Sequence, residues 1–551
     1  MPIKENRRFT PLSAVLLMLL LAAWAGGYVS LPIYFDMCDE SYQIMCGWDY
    51  RTSVAAPLSA WLTSVIGPLW NFDYFPFRTM GWTLHIIALL IGMLPVWWMS
   101  RNINFTLGTG VVSIFLFSMC RGIEWMFNWD SYAVPVLMAV VALCVNYRMR
   151  PRWWKIVAMG IACGVLATLR LPSSAAIAIP AVCILLTKGR PRFAGIVALM
   201  ATYAVCALAI ILALYGSIGE FRAMLASNLI TSHDTADLFD LYTYMLPMLY
   251  LYGMAAGGVF YIIGKTHTGR VRLAKAMALA ACAALGFYIF LHAGAVRPNW
   301  YFVSPLYIVT EAYLVWKSRG ISRVAAIMAL MATIFGGLGS NIMIARVVIY
   351  PTMPIVLYLI ALNTSTRAKA AAFAAIWIPI FVISREYVAS MFTEQDKCPV
   401  QPPPHELRGV PHMKGMYVGW WDIDRIQRIA DRFMPFVNDT AYNTAVMRNI
   451  PDDFMFEYMF DSRSPVYPHR WDNDTLMLNR DYTGRFTHWI ESSDRPVAVL
   501  MVRYVNTVDG PEEDIISEYK ARYHTVYTDS EFTIVIADRN PKSIENINNA
   551  D

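Results

Sequence analysis

Apolar residues fill most of the first 385 positions in blocks of spanning length, separated by short clusters of charge. A bilayer core takes about 20 apolar residues as a helix, and on that measure the pattern predicts thirteen spans. They are roughly 11–31, 80–98, 104–120, 131–146, 155–170, 173–187, 194–216, 242–263, 276–294, 300–316, 324–345, 347–362 and 370–385. After 386 the pattern changes. Residues 393–415 are Pro-rich and read as linker, and 424–436 place Ile426, Ile429, Phe433 and Met434 on one side of a helix. Residues 496–504 read as a buried strand, 511–523 as a helix and 525–538 as two strands around a turn. The expected fold is a polytopic α-helical membrane protein of about 13 spans with a small C-terminal α/β domain. Its parts are a membrane domain at 1–385 with a first external loop at 32–79, a linker at 386–415 and the α/β domain at 416–551.

Composition agrees with this. The 551 residues are 57% hydrophobic and only 15% charged, with mean hydropathy +0.42. The charges then orient the spans. With the N-terminus cytoplasmic, the inner loops collect 20 Lys and Arg against eight outside before residue 386, as the positive-inside rule requires. The first span follows Lys4, Arg7 and Arg8 and lacks a small-residue cleavage site, so it is expected to be retained. An odd number of spans places the C-terminal domain outside the cell membrane. Residues 1–385 carry net +15 and residues 386–551 net −10, a division that argues against a nucleic-acid partner. Most acids of the membrane part fall on the expected outer face, although acids matter little for topology. That bias points to an outward-facing polar site.

The acids first gather in the loop after span one, DMCDESYQIMCGWDYRTSVAAPLSAW, residues 36–61. Ionisable groups beside hydrocarbon need water, partners or a purpose, so this loop is either solvated surface or a functional site. Its pattern resembles the first external loop of the GT-C membrane glycosyltransferases, above all the protein O-mannosyltransferases and the lipid A aminoarabinose transferases (glycosyltransferase family 39-like). The residues that carry the resemblance are Asp39-Glu40, the aromatic Tyr42, then Ala56-Pro57-Leu58 where the family has Pro-Pro-Leu, and Trp61. Asp130, at the head of span four, matches the family's second acid, and it equally suits an ordinary helix N-cap. The resemblance covers residues 11–190 with some specificity and leaves the last 166 residues uncovered.

What it implies is a transferase that takes a sugar from a polyprenyl-phosphate donor to an acceptor glycan, lipid or protein outside the membrane, with inversion. Asp39, Glu40 and Asp130 are then the catalytic candidates, Asp39 as general base. Asp36, Tyr42, Arg51 and Pro57 complete the substrate loop. Four arginines stand at outer span ends: Arg78, Arg170, Arg297 and Arg346. Such residues commonly snorkel, but Arg also suits a lipid phosphate, and Arg78 and Arg170 match basic positions of the family. No cofactor is expected, and a divalent metal is optional and not indicated. His233 beside Asp234 has no second His nearby, and no Cys/His array has metal spacing. Cys38 and Cys46 share the loop and are close enough in sequence to bond in an oxidising compartment. The competing readings are a flippase or transporter of lipid-linked sugars, and a polysaccharide polymerase. Transporters set their charges at the bilayer midplane in repeated units, which this sequence does not show.

Overall fold

A computed structural model of the chain describes residues 5–31, 39–52, 56–120, 127–187, 192–229, 298–336, 338, 349–363, 405–418, 420–447, 454–462, 480–503 and 512–537. Helices occupy ten of the predicted spans. They are α1 (Pro11–Ser30), α4 (Tyr74–Ser100), α5 (Ile103–Cys120), α6 (Trp129–Met149), α7 (Trp153–Leu169), α8 (Ala178–Leu186) after a 3-10 run Leu171–Ile177, and α9 (Arg192–Tyr215), then α11 (Pro298–Lys317), α12 (Gly320–Gly336) and α13 (Ile349–Asn363). The predicted spans 242–263, 276–294 and 370–385 lie outside the described residues. Helices α4, α6, α9 and residues Pro11–Tyr28 of α1 are each long and apolar enough to cross a membrane. Leu12, Val15 and Met18 of α1 and Val197, Val205 and Leu208 of α9 stand exposed, as side chains that face lipid do. The chain is a polytopic integral membrane protein.

Helix α4 starts six residues before the predicted boundary at 80, which takes Arg78 into the helix instead of leaving it ahead of one. The loop expected to be external is also more regular than its hydropathy implies. It holds α2 (Asp39–Met45), a 3-10 turn Tyr50–Thr52, α3 (Pro57–Ile66) and a second 3-10 turn Gly67–Trp70. Pro57 is the first residue of α3, where its fixed φ and missing N–H cost nothing. Past α9, a further helix α10 (Ile218–Leu229) opens the stretch expected to be an outer loop.

Two devices set the helix arrangement. Asn6 bridges the α4–α5 turn, donating to the Arg101 carbonyl and accepting from Ile103 N–H, each at 3.0 Å. The segment ahead of α1 is thereby tied to the turn that joins α4 to α5. Against α9, α7 presents Gly160 and Gly164, where an added Cβ would stand 2.9 Å from the Leu199 and Tyr203 carbonyl oxygens respectively. Small residues at this spacing let two backbones touch inside a membrane, where no hydrophobic force drives helices together.

The C-terminal part is a three-layer α/β unit. Its four-stranded sheet has the order β3-β4-β6-β5, from β3 (Asn443–Met447), β4 (Val497–Val502), β5 (His524–Thr528) and β6 (Phe532–Ala537). Strands β3 and β4 are parallel, and the other pairs antiparallel. Every residue of β4 and β6 is buried, because period-two side chains feed a layer on each face. Val497, Val499, Met501 and Val535 pack on α16 (Arg480–Ser492) and α17 (Glu512–Arg522) through Phe486, Ile490, Ile516 and Tyr519. On the other face, Ala498, Leu500, Phe532 and Ile534 join Ile426, Ile429 and Phe433 of α14 (Trp420–Asn438). That second cluster continues through α15 (Phe454–Met459) into the membrane helices as one core. Part of the expected linker is structured too: β1 (His405–Glu406) pairs antiparallel with β2 (Tyr417–Val418), and the turn between them reaches α4.

Candidate active site

Two acid–arginine pairs form where the external loop meets the helix ends. The first joins α2 to α4. Tyr74 and Arg78 are four residues apart, so one helix face carries both side chains towards Glu40. Tyr74 Oη donates to Glu40 Oε2 at 2.5 Å and the Phe127 N–H to Oε1 at 2.7 Å. The Arg78 Nε stands 3.4 Å from Oε2, and its Nη1 donates to the Leu31 carbonyl at 2.7 Å. Both side chains of the pair have 0% exposure. Charges withdrawn from water this completely survive only when paired and hydrogen-bonded, and here the loop, α4 and the segment entering α6 supply the partners together.

The second pair joins α6 to α7. Asn128 is the N-cap of α6, its side chain accepting from Ser131 N–H while Ser131 Oγ accepts from the Asn128 N–H. Capping therefore belongs to Asn128, and Asp130, one of the two open readings for the cap, lies inside the first turn. There the positive end of the helix dipole favours its charge, and its Oδ1 meets Arg170 Nε at 3.2 Å. Arg170 is the extended residue that ends α7. Its Nη1 donates to the carbonyl of Gly336 at the end of α12, at 3.2 Å. Ser59 Oγ of α3 donates to the Leu169 carbonyl at 2.7 Å, fixing the external loop to the same corner. The Asp130 and Arg170 side chains keep 9% and 5% exposure, unlike the first pair.

Residues 127–130 connect the two pairs, since the Phe127 N–H holds Glu40 and Asp130 holds Arg170. The rings of Phe77 and Phe127 are 5.0 Å apart, and Tyr42 meets Trp129 edge-on at 5.9 Å. Below them His85 of α4 lies 2.7 Å from Tyr350 Oη and 3.5 Å from Ser131 Oγ.

Of the residues singled out from sequence, Glu40, Tyr42, Arg78, Asp130 and Arg170 come together. Asp39 opens α2 next to Glu40; its side chain is outside the described set. Pro57 is buried at the start of α3, and Arg51 is exposed on its 3-10 turn with its backbone N–H on Asp49 Oδ1 at 3.1 Å. Asp36, Arg297, Arg346, Cys38 and His233-Asp234 lie outside the described residues. Among the described residues no three His, Cys, Asp or Glu side chains gather as a metal site would.

The α/β unit, taken together with the β1–β2 turn ahead of it, contributes residues that the sequence does not flag. Asp73 is the N-cap of α4 without a side-chain cap bond, and the carbonyl of His412 accepts from the Tyr74 N–H at 2.8 Å. His412 Nδ1 lies 2.8 Å from the Asn71 carbonyl and 3.7 Å from Asp73 Oδ1. Tyr458 Oη donates to the Phe72 carbonyl at 2.5 Å, and its ring stacks on Trp48 with centroids 6.2 Å apart and meets Tyr74 at 5.8 Å. Burial, with the nearby Asp73 and Glu40 charges adding to it, pushes the Tyr458 phenol well above its ordinary value. Tyr74 was findable as the i−4 neighbour of Arg78. The His412 carbonyl was not, because every residue has one.

The fold is similar to that of ArnT from Cupriavidus metallidurans, crystallised bound to undecaprenyl phosphate. The TM-score is 0.51 at 12% identity, over 96% of this chain and 98% of that one. At that identity the likeness is one of fold. The sequence matches no protein-family model and no curated protein.

Proposed function

We propose that this chain is an integral-membrane glycosyltransferase that moves a sugar from a polyprenyl-phosphate donor to an acceptor glycan, lipid or protein on the outer face. The observation that carries the reading is the pair of buried acid–arginine contacts, Glu40–Arg78 and Asp130–Arg170, at one end of an ArnT-like helix bundle. An orientation with Arg7, Arg8 and Arg101 cytoplasmic puts that end, and the α/β unit, outside. Lipid-linked sugars suit that side, because the activated bond arrives with the lipid.

The chemistry follows from charge. The acceptor O–H or N–H gives its proton to the Asp39 carboxylate as the nucleophile bonds to the anomeric carbon. The bond from that carbon to the phosphate oxygen breaks, and the polyprenyl phosphate leaves with the electron pair. A fixed cation near that oxygen stabilises the growing negative charge. Arg170 is the better placed for this, since its pair keeps some exposure while the Arg78 pair is sealed. Arg78 then supplies positive charge from behind and holds Glu40, the residue next to Asp39. A single displacement of this kind inverts the anomeric centre.

The test is a panel of polyprenyl-phosphate sugars and nucleotide sugars added to purified protein, with release of free polyprenyl phosphate as readout. Acceptor-dependent release from a polyprenyl-phosphate sugar, and none from a nucleotide sugar, is expected. Movement of the intact lipid-linked sugar across the bilayer with no bond broken would make the protein a flippase instead. Asp39→Asn should lower turnover at least ~100-fold, the ordinary worth of a positioned base.

A further inference from the structure

We infer that the α/β unit is a working part of the membrane site: His412 and Tyr458 are positioning residues that set Glu40 and Arg78 through the first turn of α4. Helix N-termini leave backbone donors unsatisfied, and α4 has a cap residue, Asp73, that makes no side-chain cap bond. The donor at Tyr74 is met instead by the His412 carbonyl. Immediately before α4, Asn71 and Phe72 both hold left-handed backbone at φ 51° and 54°, a conformation that non-glycine residues adopt at a cost. The two carbonyls of that strained pair are the ones bound from the α/β unit, Asn71 by His412 Nδ1 and Phe72 by Tyr458 Oη. His412 is itself left-handed at φ 61°. Three contacts thus over-determine a backbone kink that would relax without them.

The kink aims α4. Tyr74 follows it directly, donates to Glu40 and packs its ring on Tyr458, and Arg78 is one turn further on. Trp48, which follows α2 in the chain, stacks on the same Tyr458 ring. One phenol ring therefore touches both Trp48 beyond α2 and Tyr74 of α4, the elements that supply Glu40 and Arg78. Freed from it, α2 and α4 lose their common reference, and the sealed pair opens to water.

The consequence for turnover rests on the glycosyltransferase reading, whereas the mechanical coupling does not, and the experiment separates the two. Full-length protein in detergent is labelled with a carbodiimide and an amine at carboxyls, and with phenylglyoxal at arginines, and sites are quantified by mass spectrometry. In the wild type Glu40 and Arg78 should be protected, and exposed Glu491 should label freely. Tyr458→Ala should label Glu40 and Arg78 at least ~10-fold faster, because labelling follows the population of the open form. Glu491 and Asp130 should keep their rates. Tyr458→Phe keeps both ring contacts and should restore most of the protection. His412→Gly keeps the left-handed turn and its carbonyl, removes only the imidazole, and should fall between; it decides the matter if Tyr458→Ala does not fold. Unchanged labelling of Glu40 and Arg78 in Tyr458→Ala or His412→Gly overturns the coupling, as does a rise at Asp130 equal to that at Glu40. In the release assay, Tyr458→Ala should lower kcat with the donor KM unchanged. Coupled labelling with no turnover of any polyprenyl-phosphate sugar would overturn the transferase reading and leave the positioning role standing. Turnover with a raised donor KM and intact kcat would mean that Tyr458 contacts the donor directly.

Discussion

Glu40 and Arg78 show how much a buried pair depends on both its members. Removing one leaves the other charged, enclosed and uncompensated, which typically costs about 3–5 kcal/mol. Glu40→Ala should therefore destabilise the protein by about that amount in thermal unfolding, and Arg78→Ala by a similar amount. Replacing both, as Glu40→Met with Arg78→Leu, should recover much of the loss, since apolar side chains of similar volume often substitute for such pairs without penalty. A double variant as unstable as the sum of the singles would show that each residue acts through separate partners. These residues were legible in sequence as chemical types at membrane ends, and the pairing was not. Arg78 stands 38 positions after Glu40, and nothing in either neighbourhood names the other. Asp130 was legible with two meanings, and the choice fell to Asn128, which took the cap and left the carboxylate for Arg170.

At the scale of elements, the spans were legible because the solvent around them is uniform: hydrocarbon accepts long apolar helices and little else. Strands β4 and β6 were legible for the converse reason, being short apolar runs in polar surroundings. Hydropathy could not mark where α4 begins. The residues from Tyr74 to Thr79 include a proline and a charge, and they are helical because partners outside the helix satisfy them. Nor does hydropathy distinguish Gly160 and Gly164 from any other glycines of a span. Their role is to let α7 and α9 touch. Gly164→Leu is expected to force the helices apart and to weaken the fold by about 1–3 kcal/mol or more, since the atoms it would meet include the Tyr203 and Ala207 backbone, which cannot step aside. Gly108→Leu on α5, where an added Cβ meets nothing within 4 Å, is the matched control and should be tolerated. Paired thermal unfolding of the two variants makes the comparison.

For the molecule as a whole, the junction between membrane helices and the α/β unit has a pH limit that can be stated with its sign. Tyr458 is neutral in the junction and its phenol titrates well above the ordinary value, through burial first and the charges of Asp73 and Glu40 second. In the unfolded chain it would ionise near pH 10. A raised folded value means that this contribution to stability is complete below about pH 10 and is lost as the pH climbs beyond it. Thermal unfolding of the wild type should fall away above about pH 10 more steeply than that of Tyr458→Phe, which has no proton to lose. Parallel curves would place the phenol in an ordinary environment.

The hydrogen bond from Tyr458 to Phe72 spans 386 positions of sequence, and that distance becomes a delay when the chain is made. At about 5–20 residues per second, ribosomes need roughly 20–80 s to travel it. Throughout that interval α1 and α4 stand in the bilayer, α2 lies in the loop between them, and the kink at Asn71-Phe72 lacks its tyrosine. A newly inserted membrane half is in this sense an unfinished product, recognisable to quality-control proteases by its open corner. Pulse-labelled nascent chains stalled before and after residue 458 would differ in protease sensitivity at the first external loop, although the segments cut are identical.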